Sequence, residues 1–135
     1  MQSHIMYQTI TDNIKITVLP AYLDEQSKPE KNQYFWSYTI EIINLRDTPV
    51  QLVSRYWKIT DANGRVNEVR GEGVVGQQPV IPPSHSFNYT SGCPLETSQG
   101  FMVGHYDMMD HNGLMFPIYI PAFSLDSPHE SRILN

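Results

Sequence analysis

A single cysteine, Cys93, stands among 135 residues, so no intramolecular disulfide can staple the chain. A reducing compartment, the cytosol, is the expected home. No apolar run approaches the roughly 20 residues that a membrane-crossing helix needs, and Met1–Tyr7 is neither cationic nor apolar enough for a secretory signal. Membrane insertion is therefore not expected. Basic residues are also scarce: nine Lys and Arg face fourteen Asp and Glu, for a net charge of −5. No global field would gather nucleic acid or anionic lipid, so nucleic acid is excluded as a partner. A net charge does not forbid a local anion site, and Arg65 and Arg70 could form one. Helical spacing is missing too. No dozen consecutive residues repeat apolar positions every three to four, and ten prolines spread through the chain oppose long helices.

What remains is period two. Asn13–Leu19 places Ile14, Ile16 and Val18 on one face of a strand. Gln33–Asn44 alternates Tyr34, Trp36, Tyr38, Ile40 and Ile42 against Phe35, Ser37, Thr39 and Glu41, with the aromatic and β-branched density of a half-buried strand. Val50–Thr60 is a third strand of ambiguous register. Val53, Trp57 and Ile59 share a face with Arg55, while Leu52 and Tyr56 point the other way. Trp57 is expected inward, because its indole offers the largest area to bury. Asn63-Gly64 supplies the positive φ angles of a tight hairpin, and Arg65–Arg70 returns as the partner strand. Gly71–Pro83 is irregular. Ser84–Ser91 and Phe101–Met108 resume the alternation, His111-Asn112-Gly113 turns, and Leu114, Phe116, Ile118 and Ile120 form one apolar face. Seven to eight short strands predict an all-β, immunoglobulin-like or fibronectin type III-like sandwich of two antiparallel sheets. One domain spans residues 1–135, with an ordered core from about 13 to 125 and fraying ends.

Three stretches carry a resemblance. Trp57-x-Ile-Thr-Asp-Ala-Asn-Gly64 is followed by Val66-x-Glu-Val-Arg-Gly-Glu-Gly-Val-Val-Gly-Gln-Gln-Pro79 and Phe87-x-Tyr-Thr-Ser-Gly92. With Gly100–Met108 and Ile120–Leu125 added, nearly the whole chain from Ile14 to Leu125 resembles the ApaG family. The resemblance implies the same fibronectin-like sandwich. It also implies an association with cobalt and magnesium resistance, and a role as a protein-interaction module where the domain is appended to larger eukaryotic proteins.

Gly71-Glu72-Gly73-Val74-Val75-Gly76 spells G-x-G-x-x-G. A dinucleotide fingerprint needs a helix after the glycines, and the prolines from Pro79 onward prevent one. The plain reading is permissive backbone at bulges and close approaches. An anion nest of successive N–H groups helped by Arg70 remains open. His105, Asp107, Asp110 and His111 form the only cluster of metal-ligand types, and His105-x-Asp107 puts two donors on one strand face. Polar residues at a hairpin end are the plainer account, since no zinc or calcium spacing is matched. Cys93 would need a base and a depressed pKa to act as a nucleophile, so a partly buried thiol is expected. Trp36, Tyr38, Tyr56, Trp57 and Phe87 could line a ligand slot, with core packing the first expectation.

The resulting expectation is a non-enzymatic binding or adaptor module with an unidentified protein partner and no cofactor, with a homodimer as one option. Its contact surface would be Arg70, Gly71, Glu72, Gly73, Gly76 and Gln77, because loops on a rigid scaffold carry recognition. The alternative is a small-anion, pyrophosphate or nucleotide site at the same loop. A basic pocket uniting Arg65, Arg70 and the glycines would favour that alternative.

Overall fold

The computed structural model describes residues 5–128. Two antiparallel sheets face each other. The first has the order β1 (Tyr7–Thr11), β2 (Ile14–Tyr22), β3 (Tyr34–Asn44), β7 (Ser86–Leu95). In the second, β5 (Val66–Glu72), β4 (Val50–Asp61), β8 (Gln99–Asp110) and β9 (Met115–Asp126) lie side by side, and the two-residue β6 (Val80–Ile81) pairs with β4. The expected sandwich is thus present. β1 and β6 are the strands beyond those read from sequence. β1 falls in the stretch expected to fray, and the expectation for residues 129–135 lies outside the described residues.

Alternation decides the core. Ile14, Ile16 and Val18 of β2 are fully buried, as are Trp36, Ile40 and Ile42 of β3 to within a percent. Each large apolar side chain withdrawn this way stabilises the fold by about 1.5–3 kcal/mol relative to exposure. Two positions break the alternation, and both are bulges. In β4, Leu52 pairs with Met108 but Ser54 pairs with Asp107, so Val53 is an extra residue. A one-residue insertion reverses the facing of everything after it. Leu52 and Trp57, five residues apart, are therefore both buried. In β9, Pro121 and Ala122 together oppose Val103, since the pairing passes from Met102 with Phe123 to Gly104 with Ile120. Pro121 has no N–H for the ladder, which makes a bulge its natural place. Ile118 and Ile120 before it, and Phe123 and Leu125 after it, all face inward. Leu114, expected on that apolar face, sits in the turn and is exposed.

Both long hairpins use one device. Asp61 and Asp110 each accept two backbone N–H bonds through Oδ1, from Asn63 and Arg65 and from Asn112 and Leu114. Only Gly64 and Gly113 adopt positive φ in these turns, at +82° each. This is the three-residue loop closed by a left-handed glycine, not the two-residue Asn-Gly turn read from sequence.

The sides of the sandwich differ. On one, β1 seals the edge of β9: the Thr9 hydroxyl donates to the Tyr119 carbonyl at 2.7 Å, and the Tyr119 N–H donates to the Thr11 hydroxyl at 3.3 Å. On the other, the edge strands β5 and β7 stand apart with a groove between them. At one end, buried Asn44 ties the β3–β4 turn to β6. Its Nδ2 donates to Thr48 O at 2.9 Å and Ile81 O at 3.0 Å, and its Oδ1 accepts from Arg46 N. Replacing Asn44 with alanine leaves three backbone groups without that partner. At roughly 1 kcal/mol or more apiece, the variant should lose about 3 kcal/mol of stability. Urea unfolding reads this directly; a loss below about 0.5 kcal/mol would show that the side chain is dispensable.

Candidate functional site

The glycine-rich loop is a further, smaller hairpin hung on the β4 bulge. Val74 and Gln77 exchange both backbone bonds at 2.9 Å, and Val75 and Gly76 between them have φ of +42° and +79°. Two positive φ angles in succession make the loop tip a tight primed turn. Glycine accepts this freely, but Val75 is β-branched and disfavours the region strongly. The base of the loop is held by the bulge. Val53 O accepts from Gly73 N at 2.8 Å and from the Gln78 side-chain amide at 2.9 Å, while Leu52 N donates to Pro79 O. Arg55 completes the hold, with Nη1 donating to Glu72 O at 3.1 Å and Gly73 O at 2.8 Å. Its guanidinium lies over Gly71, where a Cβ would stand 2.9 Å from three guanidinium atoms.

This wiring bears on the anion nest. The N–H groups of Gly73, Val74 and Gln77 are all spent on carbonyls of the chain itself. Arg70 is also not with them. It is exposed on the outer face of the sheet, its guanidinium 4.4 Å from the centre of the Tyr56 ring. Arg65 lies at the groove and pairs with Glu96 at 2.9 Å, with both side chains largely in solvent. No basic pocket unites the two arginines and the glycines.

The cluster of metal-ligand types is likewise dispersed. His105 and Asp107 share the outer face of β8, 3.7 Å apart, and Asp107 accepts from the Ser54 hydroxyl. Asp110 is committed to its turn, whose N–H groups hold its carboxyl below the usual range, and His111 is exposed in that turn. Among the described residues no three His, Cys, Asp or Glu side chains converge.

The groove between β5 and β7 encloses about 980 Å³. Tyr38, Trp57, Cys93 and Met102 form its floor, and Arg55, Ile59, Val69 and Ser91 are among its walls. Burial pushes the Cys93 thiol up to about 11, which favours the protonated form at neutral pH over the thiolate that a nucleophile needs. Burial also raises the Tyr38 phenol, against the opposing pull of Ser91 and the Arg55 charge.

Residues 24–110, from before β3 to the end of β8, match the family model described as the ApaG domain. The chain belongs to the ApaG family. Protein ApaG of Brucella canis is 57% identical over 130 residues, covering 96% of this chain and all of that protein. Its counterpart from Agrobacterium fabrum is 55% identical over the same share. Among solved structures, the putative ApaA protein from Bordetella pertussis superposes with a TM-score of 0.83 at 48% identity, over 85% of this chain and 94% of that one. The C-terminal domain of Wzt, at 9% identity and a TM-score of 0.55, shares the fold alone.

Seen on the ApaG fold, the glycine motif is a backbone device, and Arg55 is the residue that sequence reading passed over. The signal was present: a charged residue on the face assigned to Trp57. No helix among the described residues is long and apolar enough to cross a membrane. Gly73 and Gly76 should respond differently to alanine. At Gly73 the φ is +62° and a Cβ would lie 2.1 Å from Gln77 O, whereas at Gly76 there is open space and only the φ of +79° to oppose it. Gly76→Ala should cost about 1 kcal/mol, and Gly73→Ala at least about twice that. Equal melting curves for the two variants would contradict the close approach.

Proposed function

We propose that this ApaG domain is a non-enzymatic, cytosolic binding module whose protein partner docks on the tip of the glycine-rich loop. Val75 carries the reading. A β-branched residue at φ +42° persists only where its surroundings impose it, and such strain gathers at functional sites. Val75 is also 55% exposed, so the imposed geometry presents an apolar side chain to solvent instead of filling the core. Glu72, Gln77 and Val80 of the same segment are exposed as well. Anchoring at Val53 and Arg55 presents the tip at little cost in ordering, as preorganised recognition requires. The protonated Cys93 thiol supports the non-enzymatic side of the reading. The link to cobalt and magnesium rests on the family resemblance, and it would run through the partner.

Glu72→Ala and Gln77→Ala test the surface without touching the scaffold, since neither side chain makes a hydrogen bond within the described residues. Both variants should melt within about 0.5 kcal/mol of the parent, while proteins captured by the parent from native cytosol are lost. Retention of every partner by both variants would move the contact surface away from the loop.

A further inference from the structure

The β5–β7 groove holds a cation that the fold leaves without a counter-ion. After the bulge at Val53, Arg55 lies on the same face of β4 as buried Trp57 and lines the groove. One of its nitrogens, Nη1, serves the two loop carbonyls. Among the described residues, Nε and Nη2 have no acceptor, and no carboxylate lies within ion-pair distance. The acids at the groove mouth are engaged elsewhere: Glu96 pairs with Arg65, and Asp61 accepts the N–H groups of its turn. Lys31, also at the mouth, has no acidic partner among the described residues. In a chain of net charge −5, this half-buried recess is locally positive.

We propose that this groove binds a small organic carboxylate with an apolar, aromatic-sized body, the carboxylate on the free edge of Arg55 and the body against Trp57 and Tyr38. The reading is independent of the protein-docking tip. A guanidinium fork matches a planar carboxylate with two parallel bonds, and a half-buried cation gains most from a monoanion that neutralises it. Phosphoryl groups call for several converging donors, and the loop N–H groups that would supply them are already bonded. The floor of Trp57, Tyr38 and Met102 supplies the apolar contact that recognition sites of this volume combine with a few polar groups. Tyr38, with Ser91 opposite it in the register, adds a hydroxyl to the wall.

3-Phenylpropionate is the probe, titrated into the full chain. Trp57, one of only two tryptophans, reports occupancy by fluorescence, and backbone amide shifts locate it. Saturable binding is expected, with shifts confined to β4, β5 and β7. The uncharged isostere 3-phenylpropanamide should bind at least about tenfold more weakly, since it lacks the charge-assisted bond. Arg55 also supports the loop, so a second variant, Val69→Phe, fills the groove without altering the arginine. It should abolish binding while the amide spectrum remains folded. Equal affinity for acid and amide, shifts outside the groove, no saturation at millimolar probe, or undiminished binding by Val69→Phe would each overturn the proposal.

Discussion

One extra residue in β4 sets the terms for everything on the open side of the molecule. At Val53 the ladder to β8 slips by one, and the facing of the strand reverses. Without that slip, Leu52 and Trp57 could not both be buried: with Leu52 inward, Trp57 and Arg55 would both face outward. The same bulge turns the Val53 carbonyl toward two donors, Gly73 N and the Gln78 amide, and so fixes where the glycine-rich loop begins and ends. Core, loop and groove are coupled through a single residue's backbone.

Several polar residues of the sandwich are at work on the backbone. Asp61 and Asp110 close hairpins, Asn44 joins three segments at one end of the sandwich, and Arg55 holds the loop carbonyls. Buried or turn-forming polar groups satisfy N–H and C=O groups that would otherwise be costly to leave unpaired. Of the metal-ligand types, Asp110 is committed in this way, while His105 and Asp107 lie further along β8 and His111 is exposed in the turn.

How much was legible in the sequence depended on whether period two held. β2 and β3 keep strict alternation, and their buried faces were readable residue by residue. β4 and β9 each contain a bulge, and a pattern with one inserted residue reads as two conflicting registers; the ambiguity at Val53–Trp57 was the bulge seen from the sequence. β1 was not legible, because Tyr7–Thr11 is a half-exposed edge whose role is to cover β9. β6 is two residues long and exists only through pairing with β4. At the candidate site, the glycines are visible as a motif, and Glu72 and Gln77 as polar residues of the same loop. Arg55 was not, because its importance lies in the registers Arg55–Gly71 and Leu52–Ser54, which are facts about strand partners. Arg70 was assigned to the loop by proximity in sequence, and alternation sent it to the opposite face, over Tyr56.

The central claim is that the glycine-rich loop is a rigid extension of the sheet, held by the bulge carbonyl. Native-state hydrogen exchange of the Gly73 amide tests it most directly, because that N–H bonds to Val53 O at 2.8 Å and to nothing else. Gly73 should exchange on the order of a hundredfold or more slowly than an unprotected amide, in step with its β4 neighbours. Exchange near the unprotected rate, with β4 still protected, would show a loop that moves independently of the sheet and would contradict the account.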